Sequence, residues 1–158
     1  MLRKTLIVLL IAWQSHAVAE GKAAIASANP LATAAGFEIL AKGGNVFDAA
    51  VAVSAALAVV EPSGSGLGGG GYWLLHRAND GFETMIDARE RAPLAAHKDM
   101  FLDQQGKLKD KQSLDGALAA AIPGMPAGLV HLSEKYGRLE LAETLAPAIR
   151  YAQTGFAI

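Results

Sequence analysis

Asp87, Arg89, Glu90 and Arg91 crowd two carboxylates and two guanidiniums into the segment 87–93, which closes on Pro93. The segment directly follows an alternating run that predicts a strand, so its side chains project from a rigid edge. An arginine fork grips a carboxylate through two parallel hydrogen bonds, and an arginine held by acidic neighbours suits recognition of an anionic small molecule. The spacing alone favours a surface ion-pair cluster, and such clusters contribute little stability. A second candidate is the glycine run at 63–71, which contains G-x-G-x-x-G from Gly64 to Gly69. Dinucleotide binding needs that pattern after a strand and before a helix; here the order is reversed. No Gly-Lys-Ser/Thr follows, so a phosphate loop of the Walker type is also excluded. The run instead predicts backbone conformations closed to other residues, or a close approach of chain or ligand. Ser65 is not a nucleophile elbow, because Ser63 and Leu67 stand where glycines are required. The histidines His16, His76, His97 and His131 do not pair at metal-ligand spacing on one helix, so no metal is expected. The absence of cysteine excludes disulfides, thiol nucleophiles and thiolate ligands.

The elements that must position these residues follow from caps and periodicity. Residues 23–27 predict a strand, followed by a helix capped by Asn29 with Pro30 in its first position. Ala34, Phe37, Leu40 and Ala41 would form the buried face of that helix, and Gly43-Gly44 would stop it. Asn45 caps a second helix over 46–60, with Asp48 favouring the N-terminal end of its dipole. Apart from Asp48 this helix is uncharged and apolar nearly all round, which predicts burial on most sides. Glu61-Pro62 ends it. Residues 72–77 and 82–87 predict two strands joined by an Asp-Gly turn at 78–81. The polar stretch 99–112 should lie on the surface, with a helix opening at Ser113 and Asp115 and running through Ala121. After the break at 123–126, Pro126 opens a helix that reaches Tyr136 and stops at Gly137. A last helix, 141–154, has apolar positions at Leu145, Ala148, Ile149 and Ala152, and its internal Pro147 should bend it or mark its true start.

The sequence has 158 residues, 52% hydrophobic and 18% charged, with 14 basic against 15 acidic side chains. This is enough for one domain, and the balance of charge lacks the basic excess of a nucleic-acid binder. The 32 alanines and 17 glycines predict closely packed helices more than a bulky aromatic core. Arg3 and Lys4, the apolar run 6–13 and Ala17-Val18-Ala19 have the three-part form of a secretory signal peptide over 1–19. The apolar run is shorter than the ~20 residues that span a bilayer. Cleavage after Ala19 would leave 20–158 as a secreted segment, in a bacterial periplasm or beyond.

The order of the motifs resembles a known family. Ala28-Asn29-Pro30-Leu31-Ala32-Thr33 comes first, followed by Gly43-Gly44-Asn45-Val46-Phe47-Asp48-Ala49-Ala50-Val51-Ala52. Glu61-Pro62-Ser63-Gly64-Ser65-Gly66-Leu67-Gly68-Gly69-Gly70 and Asp87-Ala88-Arg89-Glu90 through Pro93 complete the set, which closely resembles the N-terminal part of the gamma-glutamyltranspeptidases. Pro123-Gly124, Lys135-Tyr136-Gly137 and Gly155-Phe156 also fit, so the likeness covers essentially all of 20–158. It implies an α+β fold, the αββα sandwich of the N-terminal-nucleophile hydrolases, present here only in part as the start of the large subunit. The family is made as a precursor that cuts itself into a large and a small subunit. The new N-terminal threonine of the small subunit attacks a gamma-glutamyl amide, with its own α-amine as base. The resulting glutamyl ester passes to water or to an amino-acid or peptide acceptor. Glutathione and other gamma-glutamyl compounds are the implied donors, and no cofactor is implied. Arg89 matches the arginine that binds the α-carboxylate of the glutamyl group; Glu90 is placed to orient it or to form a surface ion pair. Arg91 receives no role.

Thr33, Thr84, Thr144 and Thr154 do not match the family's nucleophile, so the chain by itself is expected to be inactive. Two alternatives stand beside the transpeptidase. One is a cephalosporin (glutaryl) acylase of the same superfamily, and the other a non-catalytic secreted domain that binds anionic amino-acid derivatives through Arg89.

Overall fold

The computed structural model describes residues 23–157, so the expected signal peptide at 1–19 lies outside the described residues. Among the described residues four α-helices, α1 (Pro30–Ala41), α2 (Val46–Val60), α3 (Met125–Tyr136) and α4 (Leu141–Thr154), accompany one antiparallel hairpin, β1 (Gly71–Arg77) and β2 (Phe82–Ala88). The α+β class expected from sequence is what forms. The caps act as their residue types predict. Asn29 Oδ1 accepts from the Leu31 N–H at 2.9 Å, with Pro30 in the first turn of α1. Asn45 Oδ1 accepts from Phe47 and Asp48 at the start of α2, and the Asp48 carboxylate accepts from the Asn45 N–H, closing a reciprocal capping box.

Helix α2 is the hub, packing against α1, α3 and α4. One of its faces offers Ala55, Ala56 and Val60 to Ala32 and Ala35 of α1 and Ala148 of α4. Another offers Phe47 and Val51 to Leu75 and Ile86 of the hairpin and to Leu129 and Leu132 of α3. This is the burial on most sides that its composition predicts.

Alanine-lined packing also explains why the expected face of α1 is wrong. The buried residues are Ala32, Ala35, Gly36 and Ile39, whereas Ala34, Phe37 and Ala41 are exposed and Leu40 is half-buried. Ala32, Ala35 and Gly36 let α1 approach its neighbours closely and Ile39 fills the remaining core position, so the ring of Phe37 turns outward. A methyl on Gly36 would already come within 2.7 Å of Val53 Cγ2 and Ile25 Cδ1. Residues 23–27 form no strand; Ile25 packs over Gly36 and no ladder engages the segment.

The helix expected over 113–121 shrinks to a single 3-10 turn, Ala117–Ala119, with nothing buried. Gly116 enters that turn at φ 89°, outside the right-handed helical region, and Leu114 and Leu118 are exposed. Short helices depend on packing of an apolar face, and this one has none. In α4 the start is Leu141 and not Pro147, whose ring is buried within the helix. Thr144, Pro147 and Ala148 form the inner face, and of the expected positions Ile149 and Ala152 are exposed.

Asp48 ties α2 to the α3–α4 connection. Its side chain is fully buried, and beyond the Asn45 N–H it accepts from Arg138 N at 3.0 and 3.1 Å and from Leu139 N at 3.3 Å. Gly137 lets this approach happen, since a Cβ there would sit 2.5 Å from Asp48 Oδ1. Asp48→Ala leaves part-buried N–H groups of Asn45, Arg138 and Leu139 without their acceptor and is expected to cost about 2 kcal/mol of unfolding free energy. Denaturant titration of the intact protein measures it; a cost below ~1 kcal/mol would show that water replaces the carboxylate.

Candidate functional site

Strand β2 ends at Ala88, so Arg89 and Glu90 leave the sheet from a fixed point. Three backbone stretches converge there. A Cβ on Gly70 would lie 2.6 Å from the Ala88 carbonyl oxygen and 2.8 Å from the Glu90 nitrogen. A Cβ on Gly124 would overlap the same Ala88 oxygen and lie 2.6 Å from the Arg89 oxygen. Neither glycine has a positive φ, and neither does any other in the run Gly64 to Gly71. The run therefore does not serve unusual backbone conformations, as half of the sequence expectation held; its close-approach role is the one realised, at Gly70.

The same junction starts α3. The Gly69 carbonyl accepts from the N–H groups of Gly124 and Met125 at 3.1 and 3.0 Å, supplying the cap that no side chain provides. One step further, Arg91 and Ile122 exchange backbone hydrogen bonds at 3.1 and 2.8 Å. Residues 88–91 are thus held between the glycine segment on one side and 122–124 on the other. Arg91, given no role from sequence, contributes its backbone to this clamp.

The Arg89 side chain is 67% exposed, and Glu90 beside it is 30% exposed. The Arg89 Nε donates to Glu90 Oε2 at 3.1 Å, and the Arg89 backbone N–H donates to Asp87 Oδ1 at 2.9 Å. The structure thus brings together Asp87, Arg89 and Glu90, as the sequence suggests. It adds Tyr72 from β1, whose side chain is the leading influence that raises the guanidinium pKa above its ordinary value, ahead of Glu90. Sequence reasoning placed Tyr72 in a strand and no further; the hairpin register, which sets it opposite Asp87, is the signal that finds it.

Arg89 lines an open cleft of about 650 Å³ between β2 and α3, with Asp87 and Arg91 from its own stretch and His131 and Lys135 from α3. Gly128 brings α3 close to the hairpin, since a Cβ there would meet Trp73 and the Ala88 Cβ at 2.5 and 2.6 Å. Glu90 looks the other way, into a recess lined by the glycine segment and Met125. The cleft is therefore predominantly cationic, with the guanidinium anchored at Nε and its terminal amino groups available to an anion. Among the described residues no three His, Asp or Glu side chains are grouped to hold a metal ion.

The gamma-glutamyltranspeptidase family model matches residues 32–158. A glutathione hydrolase proenzyme of Escherichia coli is 45% identical over 143 residues, covering 90% of this chain and 24% of that protein. Among solved structures, the Helicobacter pylori gamma-glutamyltranspeptidase superposes with a TM-score of 0.80 at 46% identity, covering 87% of this chain and 40% of that one. The cephalosporin acylase of Bacillus halodurans does so at 0.70 and 34% identity, over 82% of this chain and 24% of that one. The chain spans about a quarter of the length of the curated relatives it matches.

Gly124 has right-handed helical backbone angles, so only lack of space bars a side chain there. Gly124→Ala is expected to cost about 2 kcal/mol of stability, the scale of overpacking a filled interior. A thermal melt of the intact protein checks this, and an unchanged midpoint would mean that the junction yields freely.

Proposed function

The chain belongs to the gamma-glutamyltranspeptidase family, and from that premise we propose that it is the N-terminal part of a secreted gamma-glutamyltransferase and glutathione hydrolase. In this reading residues 1–19 direct export, in bacteria to the periplasm, and 20–158 begin the large subunit of a self-cleaving precursor. Glutathione and related gamma-glutamyl compounds are the donors, and water or an amino-acid or peptide amine is the acceptor.

Arg89 binds the α-carboxylate of the donor. The observation that supports this is its anchoring: Glu90 engages Nε, the clamped backbone fixes the Cα, and the terminal amino groups of the fork remain for a planar anion. Glu90 is a positioning residue, acting through the guanidinium. The attacking threonine belongs to the small subunit. Its hydroxyl oxygen bonds to the γ-carbonyl carbon, its proton passes by way of the α-amine to the departing nitrogen, and the amide C–N bond breaks. Water or an amine then opens the ester by the same route in reverse.

The likeness to a cephalosporin acylase supports a second reading, hydrolysis of glutaryl amides. A glutaryl group carries the corresponding terminal carboxylate and lacks only the α-amine, so Arg89 suits either donor, and it is the family match that favours the glutamyl one. In the full-length, processed protein a gamma-glutamyl anilide should be cleaved faster than the glutaryl anilide, and the opposite ranking would favour the acylase. Arg89→Lys keeps the charge but loses the fork, and is expected to raise KM for the gamma-glutamyl anilide at least about tenfold. Steady-state kinetics test it; a KM equal to the parent's would remove Arg89 from the carboxylate site.

A further inference from the structure

Tyr72 stands on the outer face of the hairpin, and nothing above gives it a task in recognition. In the strand register it lies directly across from Asp87. Continued one step, the same register sets Gly70 across from Arg89, so the seat opposite the arginine holds no side chain. It cannot hold one, because the Ala88 oxygen and the Glu90 nitrogen fill the space where a Cβ would stand. Tyr72 is therefore the nearest β1 side chain on the Arg89 face, in the diagonal relation that long and aromatic side chains bridge. Asp87 does not intervene, since its Oδ1 is turned to the Arg89 backbone N–H at 2.9 Å. Both partners remain open to a ligand, with Tyr72 52% and the Arg89 side chain 67% exposed.

The chemistry of the pair sets the direction of its bonds. A guanidinium only donates, and Nε already donates to Glu90. A phenol oxygen beside that fork could only accept from a terminal amino group, which would leave its own O–H proton to donate outward. We propose that Tyr72 is a specificity-determining residue of this site, its O–H donating to the same substrate carboxylate that the Arg89 fork binds. The proposal rests on the reading of Arg89 as the carboxylate clamp. Glu90 then holds the fork at Nε while Tyr72 steadies its far side and adds a neutral donor, so the carboxylate meets three converging hydrogens.

The test uses the full-length, processed protein. Tyr72→Phe keeps the ring and loses only the hydroxyl. It is expected to raise KM for a gamma-glutamyl anilide about fivefold, with kcat within about twofold and the unfolding midpoint unmoved. An unchanged KM overturns the proposal, as does a loss confined to kcat or one that accompanies a lower unfolding midpoint. Arg89→Lys assayed in parallel separates the two levels. If that variant raises KM and Tyr72→Phe does not, the tyrosine proposal alone fails; if Arg89→Lys leaves KM unchanged, the arginine reading fails and takes this one with it.

Discussion

Three stretches of backbone meet at the end of β2 with no side chain between them, and the geometry of the site follows from that contact. Gly70 and Gly124 press against the Ala88 carbonyl from two directions, and the Gly69 carbonyl meanwhile caps α3. The strand exit, the helix start and the approach to β1 therefore form one unit. A densely packed interior transmits displacement, so a shift in any of the three would move Arg89. Precision is obtained here without burying the arginine itself: its backbone is fixed by packing while its side chain stays in water.

The helical layer obeys the same restriction on volume. Alanines on α1, α2 and α4 meet at one core, and α2 reaches both that core and the hairpin. Each alanine buries little area and contributes little alone, so this layer depends on many close backbone contacts, with α2 held in register. Asp48 fixes the register at the helix start by joining α2 to the α3–α4 connection, while Asn45 Nδ2 adds a bond to the Tyr136 carbonyl at 2.7 Å. A local capping signal has thus become a long-range tie.

Much of this was readable from residue types. Asn29, Asn45, Pro30, Gly43 and Gly137 act locally, through side-chain acceptors, a fixed φ or a missing Cβ, and the ends of the helices fell close to where these residues put them. The hairpin is likewise a local object, with Gly81 at φ 68° in its turn. What failed were statements about faces and partners. Phe37 looked like a core residue on α1 because apolar periodicity weighs bulk, whereas contact with α2 rewards smallness. Residues 113–121 carry helical spacing, but spacing cannot reveal that nothing packs on them. At the site, Arg89 and Glu90 were visible as a charged pair beside a strand; Tyr72 and Gly124 were not, because they are neighbours of Arg89 only through strand register and through a contact across more than thirty residues of chain.

An exposed arginine raises a question of affinity. A fully hydrated guanidinium gains little from a carboxylate, since water competes for both ions and screens their attraction. Orientation is what this chain supplies: Glu90 takes Nε and the backbone clamp removes freedom at the Cα, so less entropy is lost when an anion docks. The cationic side chains of Arg91 and Lys135 raise the local potential without adding a fixed geometry. Orientation turns into strong binding only when the cleft is closed to water, because the same hydrogen bonds then act in a lower dielectric. If Arg89 is the carboxylate clamp proposed above, the open cleft beside β2 is half of that site, and closing it to water would set how tightly the arginine holds its anion.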